Sequence, residues 1–387
     1  MPMVSRQDAR QSLRSLQGFQ FLDLQAQFVG IRAEVLAAVI RVLESQHFIL
    51  GPDVEALEQD IARLVGCQSA IGCASGSDAL ILALMALEIG PRDEVITTPF
   101  TFVATAGSIA RLGARPVFVD IDSNDFNLDP NEVVKAITPR TRAILPVHLF
   151  GSPADMDSIL EIASVHRLAV VEDAAQAIGA RHHGKAVGSM GIAGCFSFFP
   201  SKNLGGAGDG GMITTNDSDL AERVRILRAH GSRTKYQYEI LGINSRLDSL
   251  QAAILKAKLS HLDEWTTARR RNADLYRTLF SDFGLDGIVQ LPTVIRDRTH
   301  VYNQFVIRTS RRDDLREYLR ERGIPSEIYY PHALHLQRAF SYLGYQRGSF
   351  PKAEIASSQV LALPIYPELS FDQLHMVADA IAKFFAQ

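Results

Sequence analysis

The sequence predicts an α/β protein: a large domain with a mainly parallel seven-stranded sheet between helices, followed by a smaller α+β C-terminal domain. Three observations point there. Short apolar runs alternate with longer amphipathic ones as far as Asn216. Several of the short runs are apolar at successive positions, as strands buried on both faces require. After Asn216 the pattern turns mainly helical, and a second, shorter set of apolar runs follows. Strand–helix alternation implies right-handed crossovers and helices on both faces of one sheet.

The seven strands are "SAIGCAS", "DEVITTP", "RPVFVDID", "RAILPVHLFG", "LAVVEDAAQ", "GCFSFFP" and "GGMITTN". The helices between them are "SDALILALMALEIG", "FVATAGSIARLG", "DPNEVVKAI" and "ADMDSILEIASVHR". "SDLAERVRILRAHG" is a further helix. "SRLDSLQAAILKAKLSHLDEWTTARRRNADLYRTLF" is periodic throughout and suits one long helical stretch bridging two domains. Beyond it lie apolar runs at "IVQLPTVI" and "HVYNQFVIR", the helix "RRDDLREYLRERG", then "IPSEIYY", and the closing helix "FDQLHMVADAIAKFFAQ". The expected division is an N-terminal extension (1–20), a large domain (21–255) and a small domain (256–387). No internal repeat or low-complexity segment interrupts it.

Composition narrows the function. With 47% hydrophobic and 21% charged residues, the 387-residue chain has the profile of a globular protein with a large core. A formal net charge of -3 without a basic run argues against nucleic acid and acidic membrane surfaces as partners. The first residues, "MPMVSRQDARQSLRSLQ", lack the apolar segment of a signal peptide, and no run of about 18 apolar residues suggests a membrane span. A cytoplasmic location is the expectation. Cys67, Cys73 and Cys195 are too few and too irregular for a disulfide framework. Cys67 and Cys73 lack zinc-ligand spacing, so the expectation is buried reduced thiols and no metal.

In open α/β sheets, ligands bind outside the carboxyl ends of the strands. Asp173 closes the strand in "VVEDAAQ", where a buried carboxylate needs a positive partner, although a helix N-cap or loop acid is the plainer alternative. Lys202, in "FSFFPSKNLGGAGDGG", is either a surface lysine or an amine made nucleophilic by burial. The glycines after it permit close backbone approach and positive φ, and Ser197 and Ser201 add hydroxyls. In "CASGSDAL" a strand runs through Ser75-Gly76-Ser77-Asp78 into an apolar helix, the recipe for an anion site at a helix N-terminus; Ser77 or Asp78 also fits a simple N-cap. The segment has neither Walker nor dinucleotide glycine spacing. Phe100 or Phe102, after the second strand, suits stacking on a planar ring or packing in the core. His148 follows a strand with no evident role. One ligand uses an acid, an amine, an anion cradle and an aromatic together: pyridoxal 5'-phosphate, with its ring nitrogen, aldehyde and phosphate.

These segments carry a resemblance. "GSDAL", "PFTFVAT", "VEDAAQA", "FSFFPSKNLGGAGDGG", "GINSRLDSLQAAIL" and "YYPHALHLQ" resemble the DegT/DnrJ/EryC1/StrS sugar aminotransferases, within fold-type I pyridoxal-phosphate enzymes. The likeness spans Phe21 to Ser370. It implies Lys202 as the Schiff-base lysine and Asp173 as partner of the ring nitrogen. It further implies Gln176 at the phenolic oxygen, Phe102 on the ring face, the amides of Gly76 and Ser77 with the Ser197 hydroxyl on the phosphate, and Asn244 reaching the partner subunit's phosphate in a homodimer. Tyr330, His332 and His335 match a segment lining the sugar-nucleotide pocket; by composition alone both histidines suit the surface. Lysine rather than the histidine of sugar-dehydrating relatives implies transamination, from glutamate to a UDP- or dTDP-linked keto sugar. The pathway classes implied are surface-polysaccharide, lipopolysaccharide or antibiotic sugar biosynthesis. "GDGG" resembles members acting on 3-keto sugars, with a 4-keto substrate the alternative. Ala333 departs from the proline of many relatives, within the segment implied for the sugar.

Overall fold

The structure, a computed structural model, describes residues 20–387, so the expected extension at 1–20 lies outside the described residues apart from Gln20. Two helices lead in. α1 (Leu24–Ser45) is capped by Asp23, whose carboxylate accepts the Ala26 N–H at 2.9 Å. α2 (Pro52–Val65) starts on proline, which supplies helical φ where no N–H is needed.

The seven expected strands form one sheet: β1 (Ser69–Cys73), β2 (Glu94–Thr97), β3 (Arg115–Phe118), β4 (Thr141–Ile144), β5 (Ala169–Asp173), β6 (Ala193–Ser197) and β7 (Gly211–Thr215). Their order is β1-β7-β6-β5-β4-β2-β3. The five from β6 to β3 are parallel, and β7 runs antiparallel to both β1 and β6. The helices around it include α3 (Gly76–Ala86), α4 (Val103–Arg111), α5 (Pro130–Ala136), α6 (Met156–His166) and α7 (Ser218–Leu227).

Adjacent residues of a strand face opposite sides, and here both sides are covered. Ile71, Val95, Val171, Cys195 and Ile213 pack into the core around α3. Their chain neighbours go elsewhere: Ala70, Phe196 and Met212 join Leu57 and Ile61 of α2, while Ile96 and Val170 meet Ile159 of α6. Helix α3 is apolar almost all round, as a helix enclosed by protein should be.

The long helical stretch is two helices, α8 (Ser249–Leu259) and α9 (Leu262–Asp282), which meet at Ser260-His261. The expected boundary at 255/256 falls inside α8, which packs on α1 and α2. Beyond α9, β8 (Phe305–Arg308) pairs antiparallel with β9 (Val360–Leu363), and α10 (Arg312–Glu321), α11 (Pro351–Gln359) and α12 (Phe371–Phe385) complete the C-terminal part. Tyr276, Phe305, Leu361 and Ile381 centre a separate core there. "IVQLPTVI" is not a strand; only Gln290 bridges to Arg308. Strand β9 was not expected, because "VLAL" directly continues a helix.

All three cysteines are free; Cys73 and Cys195 are buried and Cys67 partly so. Burial pushes the Cys67 thiol up to about 11. Among the described residues no helix is long and apolar enough to cross a membrane.

The packing scheme predicts a contrast. Leu82 is fully buried in the α3 core, and Val165 on α6 is 74% exposed. Leu82→Ala should cost about 2–5 kcal/mol, and Val165→Ala under ~0.5 kcal/mol. Denaturant unfolding of the two variants checks this; equal losses would contradict the assigned core.

Candidate active site

Asp173 is the last residue of β5 and is buried to 5% exposure. Thr105 Oγ1, on the first turn of α4, donates to its Oδ2 at 2.8 Å, and the Ala175 N–H donates to Oδ1 at 3.2 Å. Burial pushes the carboxyl's pKa up, while these hydrogen bonds and the charge of Lys202 pull it back; burial wins. Thr105 itself lies 2.9 Å, oxygen to oxygen, from Thr101 Oγ1. The site therefore spans the carboxyl ends of β2, β4 and β5, where the strand order changes direction.

The anion cradle is also built. Ser75 caps α3, its hydroxyl accepting the Asp78 N–H at 3.1 Å. Gly76 and Ser77 are the first two residues of the helix, so their N–H groups have no helical carbonyl to bond. Ser197, ending β6, lies directly against Gly76: a Cβ added there would sit 2.5 Å from the Ser197 Cβ. Gly211 closes the other side, where a Cβ would fall 2.3 Å from the Ser75 carbonyl oxygen. Asn244 is exposed, one residue from Ser245, whose hydroxyl donates to Asp78 Oδ2 at 2.7 Å.

Lys202 sits on a tight turn, its N–H donating to the Phe199 carbonyl at 2.9 Å. Burial lowers its amine pKa to about 8, and the Asp173 carboxylate holds it from falling further. The glycines that follow do not take positive φ, contrary to the expectation. They are required by closeness instead: a Cβ on Gly205 would lie 2.3 Å from the Pro200 carbonyl oxygen, and one on Gly206 2.8 Å from Gln251 Oε1. Gln251 accepts the Ala207 N–H, and Lys258 donates to the Gly205 carbonyl, so α8 holds this loop.

Of the two phenylalanines, Phe100 is fully buried in the core and Phe102 is 55% exposed at the start of α4. Only Phe102 offers a free face. Its ring centroid lies 6.4 Å from that of Tyr330. Tyr330 OH accepts from Gln176 Nε2 at 3.2 Å, and Gln176 Oε1 accepts the Phe150 N–H at 2.6 Å. Asp173, Gln176, Phe102 and Tyr330 thus gather at one place.

His332 is exposed and His335 is not. The His335 ring is buried to 2% exposure, with Nε2 3.0 Å from Glu354 Oε1 and the Phe350 ring edge-on. The His335 ring, which the resemblance puts in the sugar-nucleotide segment, packs against the aromatic core here. Ala333 is buried in the same core at φ −63°, a value proline also adopts. Leu334 N–H donates to the Pro99 carbonyl at 2.7 Å and fastens this segment to the end of β2.

Thr105 escaped the sequence reading; its place four residues after Thr101 in "PFTFVAT" was the available signal. The loop histidine is explained as well. His148 is fully buried, Nε2 lies 3.0 Å from Glu172 Oε2, and Nδ1 accepts the Ala154 N–H.

Pyridoxal 5'-phosphate fits these residues. Its phosphate suits a helix N-terminus cleared by Gly76 and Gly211, its ring nitrogen suits a buried carboxylate, and its aldehyde suits an amine that loses its proton near neutrality. The comparisons agree. The model of the DegT/DnrJ/EryC1/StrS aminotransferase family matches residues 30–382. The chain is 51% identical to the pleiotropic regulatory protein of Geobacillus stearothermophilus, covering 94% of this chain and 98% of that one. It is 48% identical to the UDP-N-acetyl-3-dehydro-alpha-D-glucosamine 3-aminotransferase of Acidithiobacillus ferrooxidans, covering 94% and 96%. The crystal structure of S. venezuelae DesV in complex with a ketimine intermediate matches with a TM-score of 0.92 at 46% identity, over 96% of this chain and 99% of that one. The protein is a pyridoxal-phosphate-dependent sugar aminotransferase. It belongs to the DegT/DnrJ/EryC1/StrS family.

The pKa of Lys202 is testable. In cofactor-free protein, the rate at which Lys202 captures the cofactor aldehyde should rise with pH around a midpoint near about 8, well below the ~10.4 of an ordinary lysine. Asp173→Asn removes the negative charge that favours the ammonium, so its midpoint should lie lower. A midpoint that moves up would contradict the coupling.

Proposed function

We propose that this enzyme aminates carbon 3 of a UDP- or dTDP-linked keto sugar, with glutamate as the amino donor. The observation that carries the chemistry is the buried Asp173 carboxylate facing a site shared with the partly buried amine of Lys202. The position on the sugar is supported by the name of the A. ferrooxidans relative and by the "GDGG" after Lys202.

When bound, pyridoxal phosphate supplies an electron sink conjugated to the donor's nitrogen. The chain's residues do the rest. Asp173 holds the proton on the ring nitrogen, with Thr105 and Ala175 fixing its carboxylate. Lys202 Nζ, displaced by the donor's amine, would move a proton from the donor's Cα to the cofactor's aldehyde carbon, and in the second half would move one from that carbon to the sugar carbon. Gly76, Ser77 and Ser197 would hold the phosphate, Phe102 would cover the ring, and Gln176 would meet the phenolic oxygen. Tyr330 and His332 face the sugar nucleotide. Donor and acceptor use one site in turn, so kinetics are ping-pong. We assign a homodimer in which exposed Asn244 serves the neighbouring subunit's phosphate, with the large domain running through α8 and the small domain beginning at α9.

The regulatory name of the G. stearothermophilus relative supports a second reading, a cofactor-holding protein without turnover. Lys202 and Asp173 are both present, which favours catalysis. Purified protein loaded with cofactor should show the visible absorbance of the lysine-linked form, and Lys202→Ala should lose that band and all turnover. A panel of UDP- and dTDP-linked 3-keto and 4-keto sugars, with glutamate, should yield 2-oxoglutarate beyond one equivalent per chain only with 3-keto substrates. Turnover of 4-keto sugars alone would overturn the carbon assignment. A visible band with no turnover of any sugar would favour the regulatory reading.

A further inference from the structure

Asp157, His182 and His183 meet outside the cofactor and substrate residues described above. His182 lies on a short strand, Arg181–His182, that turns through Gly184 into Lys185–Ala186 and pairs on its other side with Arg298–Thr299. Its side chain is buried to 2% exposure; Nδ1 has no hydrogen-bond partner, and Nε2 makes only a poorly angled 3.2 Å contact with Asp157. A buried polar ring without a well-formed hydrogen bond is uncommon and calls for an explanation.

The neighbouring geometry supplies one. Successive residues of a strand point to opposite faces, but His183 sits at φ 47°, in the left-handed region. Its ring stands edge-on to that of His182, with centroids 4.7 Å apart. Asp157, on the first turn of α6, approaches both: its Oδ2 is 3.2 Å from His182 Nε2 and 3.4 Å from His183 Nε2. Ligand atoms of the three lie within 4.8 Å of one another. In a tetrahedral zinc site, metal–ligand bonds of about 2.0–2.1 Å put neighbouring ligand atoms about 3.3–3.4 Å apart. Both oxygen–nitrogen separations lie close to that edge, and the exposed His183 ring would have to swing toward His182 to close the third, since the ligand atoms are held only within 4.8 Å of one another.

We propose that Asp157 Oδ2, His182 Nε2 and His183 Nε2 form a three-ligand site for a divalent transition metal, Zn²⁺ by geometry, with water in the fourth position. Imidazole and carboxylate are suitable donors for it. An ion pair between Asp157 and a protonated His182 is the competing explanation. The ion pair accounts for neither the second imidazole at Asp157 Oδ2 nor the poor angle of the His182–Asp157 contact. Arg298 is the nearby charge opposing a cation, but its guanidinium is engaged by Asp125 at 3.0 Å and Asp155 at 3.5 Å. The metal would join the histidine turn to the start of α6. Adjacent histidines in "ARHHGKA" have no metal-ligand spacing, which is why only the folded chain reveals the third ligand.

The test uses the full-length, untagged holoenzyme after chelator treatment, titrated with Zn²⁺ by calorimetry and with Co²⁺ by visible absorbance. Wild type should bind one metal per chain, with the intense cobalt bands of a tetrahedral site. His183→Ala and Asp157→Asn change residues that are more than half exposed, so both variants should fold. Each should weaken binding by more than about tenfold and leave amino transfer unchanged. No binding by wild type, or equal binding by wild type and both variants, would overturn the proposal.

Discussion

A carboxylate buried at the end of a strand is the constraint around which this molecule is arranged. Taking such a charge out of water costs several kcal/mol unless it is paired and hydrogen-bonded. Asp173 has two hydrogen bonds and the charge of Lys202, and burial still pushes its pKa up. Lys202 is in the converse position, its ammonium disfavoured by burial and supported by Asp173. Each group sustains the charged form of the other. Bound pyridoxal phosphate would bring a protonated ring nitrogen as the counter-charge of Asp173. The same electrostatic need thus links cofactor binding to ring protonation.

The preceding residue shows the alternative. Glu172 is fully buried and points to the opposite face of β5. Its carboxylate accepts N–H groups from Gly188 at 2.7 Å, Met190 at 2.8 Å and Gly191 at 2.7 Å, and it also meets His148. Because His148 Nδ1 accepts the Ala154 N–H, its proton resides on Nε2 and is donated to Glu172. The chain satisfies Glu172 with three backbone donors and an imidazole. Asp173 has one backbone donor and one hydroxyl, which leaves acceptor capacity facing the site. Two adjacent buried acids therefore differ in role: one organises the turn at Gly188–Gly191, the other waits for a ligand.

Much of this was legible in the sequence. Continuous apolar strands such as "AVVED" cannot be half-exposed, so all seven sheet strands were readable. The acid, the amine and the helix-capping turn stand at strand ends, where chemistry is expected. What escaped depends on three-dimensional closeness. The break at Ser260-His261 carries neither proline nor glycine, so periodicity runs through it. The glycines after Lys202 invite a reading in terms of positive φ, yet their neighbours Pro200 and Gln251 are what exclude a side chain. His332 and His335 look alike in the sequence, and Glu354 with Phe350 is what draws only the second into the core. Thr105 is an ordinary helix residue until the end of β5 is placed against it.

The central claim is that Asp173 keeps the cofactor's ring nitrogen protonated. The most direct measurement is ¹⁵N NMR of the ring nitrogen, using labelled pyridoxal phosphate bound to wild type and to Asp173→Asn. A protonated nitrogen in wild type, losing its proton in Asp173→Asn, is the predicted result. A neutral ring nitrogen in wild type would contradict it, because the buried carboxylate would then have no cationic partner in the loaded site.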